Sequence, residues 1–97
     1  MNQVEIFKAL SNQARLQILE WLKKPEVNFP GQAEYGDGVC VQLIHQKCGF
    51  TQSTVSEHLS MLQRAGLVQS TRKGQWTYYK RNEETFSLLS NFIQSEL

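Results

Sequence analysis

The sequence predicts one mainly α-helical domain carrying a single β-hairpin, and three observations lead there. Apolar residues recur at three and four positions through most of the chain, a glycine stands behind each of the two central helical runs, and one stretch, 67–81, is rich in Val, Thr, Trp and Tyr. With 97 residues, 40% of them hydrophobic and 20% charged, the chain supports one packed domain spanning 1–97. No stretch reaches the roughly 20 apolar residues that cross a bilayer. The start, MNQVEIFKALSNQ, lacks the basic-then-apolar layout of a secretory signal, so the expectation is a cytoplasmic protein with no membrane partner.

The first periodic run is Val4, Phe7 and Leu10, continued by Ala14, Ile18, Leu19 and Leu22. Ser11-Asn12-Gln13 interrupts it as an N-cap and first turn, which gives helices near 2–10 and 12–23. Pro25 ends the second. The segment 24–38 holds both prolines and three glycines without a sustained period and reads as a surface loop, with a brief strand at EVNF as the alternative. Residues 39–47, VCVQLIHQK, fit a short helix capped by Asp37 and closed by Gly49, with Val39 and Leu43 inward and Cys40 and Ile44 as further candidates for that face. Thr51 then caps a helix whose Val55, Leu59 and Leu62 share one face, and Gly66 stops it.

Two helices joined by a short glycine-containing turn, spanning 39–65, have the pattern of a helix-turn-helix. The second helix opens on an unusually polar face of Gln52, Ser53, Thr54, Ser56, Glu57 and His58. Next, LVQST and QWTYYKR flank a turn at Arg72-Lys73-Gly74 and form a hairpin over 67–81. Trp76 and Tyr78 lie on one face of its second strand and Thr77 and Tyr79 on the other, and alternation alone leaves open which pair faces the core. Asn82-Glu83-Glu84 begins a last helix with Phe86, Leu89, Phe92 or Ile93, and Leu97 on its apolar face. The order of five helices and a hairpin is that of a winged helix-turn-helix with an extra helix at each end.

The formal net charge is only +1, but residues 67–81 hold four basic side chains and no acidic one. Phosphate backbones respond to such local clusters, so Arg72, Lys73, Lys80 and Arg81 outweigh the total. Catalytic classes recede, because the chain has no glycine-rich phosphate loop, no HExxH and no GxSxG, and no enzyme is expected.

KALSNQARLQILEWL, TQSTVSEHLSMLQRAGLV and RKGQWTYYK together resemble the ArsR-type (ArsR/SmtB) bacterial transcriptional regulators over nearly the whole chain. The resemblance implies a homodimeric repressor that binds a palindromic operator in double-stranded DNA. Its DNA-facing positions fall on Gln52, Ser53, Thr54, Ser56 and His58, with Arg72, Lys73 and Gln75 of the wing at backbone or minor groove and Lys80 and Arg81 as outer phosphate contacts. The apolar surplus of the terminal helices, Val4, Ile6, Phe7, Leu88, Leu89, Phe92 and Ile93, is the expected dimer interface.

Members of this family often sense metals through a CVC pair, and here the matching stretch is Val39-Cys40-Val41, with valines in place of the thiolates. The last helix contains no His or Cys, so no metal site and no cofactor are expected. On a continuous helix Cys40 and Cys48 would stand about 12 Å apart, too far to share one ion. Cys48, at a helix end, is expected to be the more exposed thiol. Two other readings stay open: a winged-helix module that binds protein instead of DNA, and a sensor repressor with a non-standard metal or thiol site built from Cys40, His45 and Cys48.

Overall fold

Two asparagines start the first two helices in the computed structural model, which describes residues 1–97. The Asn2 side chain accepts from the Glu5 amide at 3.0 Å to open α1 (Gln3–Leu10), and Asn12 accepts from the Arg15 amide at 3.0 Å to open α2 (Gln13–Lys23). Ser11, expected as the cap of α2, instead ends α1, its N–H bonding the Phe7 and Lys8 carbonyls.

Six helices are present where five were expected. Pro25 stops α2 and also begins a single turn, α3 (Pro25–Asn28), at whose first position a missing N–H costs nothing. Within EVNF, Glu26, Val27 and Asn28 are therefore helical, Phe29 is the C-cap, and no strand forms. Val39–Cys40 is a short strand, β1, so the helix read over 39–47 starts later, as α4 (Val41–Cys48). Asp37 does not cap it; Cys40 stands at the N-cap, with no side-chain hydrogen bond.

Gly49 ends α4 at φ +74°, a left-handed conformation that glycine adopts without steric cost. A three-residue turn leads to α5 (Gln52–Arg64), whose cap Thr51 accepts from the Thr54 amide at 3.2 Å. The hairpin consists of β2 (Val68–Lys73) and β3 (Trp76–Arg81). Because Lys73 pairs with Trp76, the turn is Gly74-Gln75, later than the expected Arg72-Lys73-Gly74. β1 adds to the free edge of β3, giving an antiparallel sheet in the order β1-β3-β2, with Val39 opposite Tyr79. The last helix, α6, runs Glu83–Glu96.

One core joins these elements. Ile6 of α1, Ile18 of α2, Val39, Ile44 of α4, Val55, Leu59 and Leu62 of α5, and Leu67 before the wing are all fully buried. Tyr79, not Trp76 or Tyr78, packs against this core, which resolves the two faces of β3. Burial raises the Tyr79 phenol pKa above its ordinary value.

Candidate nucleic-acid interface

Three buried side chains fix the pose of α5. Val55, Leu59 and Leu62 face inward, and the helical spacing then turns Gln52, Ser53, Thr54, Ser56 and Glu57 to solvent. Thr51 organises the first turn: its hydroxyl lies 2.9 Å from Thr54 Oγ1 and 3.3 Å from Ser53 Oγ, so both belong to the cap. Gln52 and Ser56 stand outside that network with their polar groups free. An amide that donates and accepts side by side can pair with an adenine edge, and a hydroxyl serves either a base or a phosphate.

His58 is half-buried and turned toward α2. Its Nδ1 lies 3.2 Å from Arg15 Nη1, and since a guanidinium only donates, Nδ1 is the acceptor, which leaves Nε2 as the ring's N–H. Arg15 itself is 7% exposed. Its Nε donates to the Ala9 carbonyl at 2.7 Å, Nη2 to the Lys8 carbonyl at 3.3 Å, and Nη1 also meets Met61 Sδ at 3.4 Å. The cation thus sits on the negative C-terminal end of α1 and ties that helix to α5. Sequence reasoning missed Arg15. The available signal was its position in the first turn of α2, where a cation opposes the helix dipole and so needs a tertiary reason.

In the wing, all four cations already have a partner within the chain. Lys73 Nζ meets Asp37 Oδ2 at 2.8 Å, Lys80 Nζ donates to the Gly36 carbonyl at 3.3 Å, and Arg72 Nε donates to the Gly74 carbonyl at 3.0 Å. Arg81 departs furthest from its expected place as an outer phosphate contact. It makes two bonds to Glu83, at 3.0 and 3.1 Å, lies 3.7 Å over the Phe86 ring, and its side chain is only 11% exposed. Gln75, in the turn, is exposed. The hydrogen bond and charge of Lys73 hold the Asp37 carboxyl below the usual range, and the same pair raises Lys73.

The terminal helices divide between core and surface. Ile6 and Leu89, both assigned to the dimer interface from the sequence, are buried within the chain's own core. Val4, Phe7, Leu88 and Ile93 are exposed, Val4 at 63%, and Phe92 is half-buried. Cys40 and Cys48 flank the two ends of α4, and no three His, Cys, Asp or Glu side chains come together to hold a metal ion. The residues do not fit the metal sites of the resembled family. Cys40 and Cys48 are both half-buried, so Cys48 does not stand out as the exposed thiol of the two; it packs against the core, and burial raises its thiol pKa, the reverse of an activated thiolate.

Residues 40–70, which hold α4, α5 and the start of the wing, match the family described as bacterial regulatory proteins of the arsR family. The chain is 48% identical, over the full length of both, to the uncharacterized HTH-type transcriptional regulator YbzH of Bacillus subtilis. The chain belongs to the ArsR family. Another relative, the transcriptional repressor SdpR of Bacillus subtilis, is 30% identical over 91% of this chain and 89% of its own. Among solved structures, the chain is similar to the homodimeric winged helix-turn-helix DNA-binding domain of a possible ArsR-family regulator from Mycobacterium bovis. That likeness has a TM-score of 0.68 and 31% identity, and covers 94% of this chain and 73% of that one. In ArsR-family terms α4 and α5 are the helix-turn-helix and β2–β3 the wing, with β1 as a third strand at its edge.

Proposed function

We propose that this ArsR-family regulator is a cytoplasmic, non-catalytic repressor in which the whole chain, 1–97, acts as one DNA-binding and dimerisation domain at a palindromic operator. The observation that carries this reading is the start of α5, where Gln52 and Ser56 are exposed and uncommitted on a helix anchored by three fully buried residues. Such a helix can enter a major groove with its reading groups already in place, while Ser53, Thr54 and the helix N-terminus approach a phosphate. His58, oriented by Arg15, offers Nε2–H at the groove edge. Arg72, Lys73, Gln75 and Lys80 supply the backbone contacts of the wing, and Arg81 is left to brace α6.

One α5 reads too few bases to select an operator, and two related by a dyad and spaced about one turn of DNA, near 34 Å, read a palindrome. Val4, Phe7, Leu88, Phe92 and Ile93 provide apolar surface for that pairing. The test is sedimentation of the wild type and of Phe92→Asp, each followed by DNA titration. A wild-type dimer, with a variant that is monomeric and binds weakly, is the expected result; a dimeric Phe92→Asp with full DNA affinity would move the interface away from α6.

A further inference from the structure

The loop between α3 and β1 folds back over the wing. Gln32 clasps it, accepting from the Cys40 amide at 2.9 Å and donating to the Gly38 carbonyl at 2.8 Å, while the Tyr35 hydroxyl donates to the Phe29 carbonyl. At Gly38, φ is +104° and any Cβ would collide with the Tyr79 carbonyl, so glycine alone lets the loop lie this close to β3. The outcome of that close approach is electrostatic. Asp37 reaches Lys73 of the hairpin, the Gly36 carbonyl reaches Lys80, and Glu34 adds a further negative field at Lys73.

We propose that this loop is an intramolecular counter-charge for the wing, in which Asp37 occupies Lys73 in the place a DNA phosphate would take and so lowers the affinity of the wing for duplex DNA. The inference rests on the reading of the hairpin as a phosphate-contacting element. Non-specific affinity and its salt dependence follow the number of phosphates neutralised by cations. Lys73 contributes to that number only by exchanging one anion for another, because its field is cancelled in the free protein by a carboxylate 2.8 Å away. Both side chains are about half exposed, so the exchange requires no unfolding.

The experiment titrates the full chain against a fluorescent random-sequence duplex over a range of salt, using wild type, Asp37→Asn, Lys73→Gln and the double variant. Asp37→Ser, melted alongside, serves as a second carboxylate-free variant with a different loop side chain. Removing the carboxylate is expected to tighten binding on the order of two- to fivefold per protomer at low salt, and to steepen the slope of log K against log salt by up to about 0.9 per protomer. In the Lys73→Gln background most of that gain disappears. Wild-type affinity in both carboxylate-free variants, or an equal gain with and without Lys73, overturns the counter-charge. An Arg72→Ala variant in the same series separates the two levels of inference. If it leaves the salt slope unchanged, the hairpin does not contact phosphate and both readings fall, whereas a reduced slope with silent Asp37 variants sinks only the counter-charge.

Discussion

The start of α5 and the wing are both exposed and polar, both face DNA in the proposed reading, and they hold their polar groups in opposite ways. On α5, Gln52 and Ser56 have no intrachain partner, and the rigidity comes from beneath, through Val55, Leu59, Leu62 and the Arg15 tether. On the wing, Lys73, Lys80 and Arg81 are bound to Asp37, the Gly36 carbonyl and Glu83. Groups that read bases gain from being preorganised and unpaired, since any intrachain bond must be broken before a base edge can take its place. Groups that hold phosphates act at longer range and tolerate a competing anion, which moderates the sequence-independent part of binding. Under the proposed function, the difference gives selectivity to the helix and a restrained affinity to the wing.

The largest expected effect comes from breaking the platform beneath α5. Leu59 is fully buried, and Leu59→Ala is expected to cost about 2–5 kcal/mol of stability in denaturant unfolding, with DNA binding lost as the fold weakens. Next, Gln52→Ala and Ser56→Ala each cost on the order of 1–3 kcal/mol of preference for operator over random duplex if they read base edges, and leave random-duplex affinity unchanged. Equal losses on both DNAs would place these side chains on the backbone and erase the contrast with the wing. Arg72→Ala has the opposite signature, a uniform weakening on all sequences and a salt slope lower by about 0.9 per protomer.

Smaller effects sharpen the wing side. Arg81→Ala is expected to change the salt slope less than Arg72→Ala, because its guanidinium is committed to Glu83 and Phe86; what it moves is the melting temperature, through the lost stacking. The smallest effect concerns pH. Since Lys73 depresses the Asp37 pKa in the folded protein, the pair contributes stability above the unfolded carboxylate pKa of about 3.9, and the contribution is lost as pH falls through the lower folded value. Wild type and Asp37→Asn should therefore differ slightly in thermal melts at neutral pH and converge in acid.

Local chemistry made most of the fold legible. Thr51, Gly49 and Gly66 act through their own backbone neighbourhood, and the sequence pattern around them located α5 and its exposed polar face. Boundaries set by geometry between distant residues were not legible. β1 is two residues long and exists because β3 offers a free edge, so no local periodicity announces it. Pro25 ends one helix and begins another turn, and only the stop was visible. Ile6 and Leu89 share the apolar spacing of their exposed neighbours, so composition could not separate core from surface on the terminal helices. The site showed the same division. The four cations of the wing were plain in the sequence, but Asp37 lies 36 residues from Lys73 and became its partner only through the turn at Gly38.

The central claim, that α5 reads bases while the wing holds backbone, is tested most directly by selecting bound sequences from a random duplex pool with wild type, Gln52→Ala and Arg72→Ala in parallel. The account predicts a palindromic consensus for wild type, loss of preference at the bases beneath the start of α5 for Gln52→Ala, and an unchanged consensus at weaker affinity for Arg72→Ala. A consensus that survives Gln52→Ala intact while Arg72→Ala alters its bases, or a wild-type pool with no enriched sequence, would contradict it.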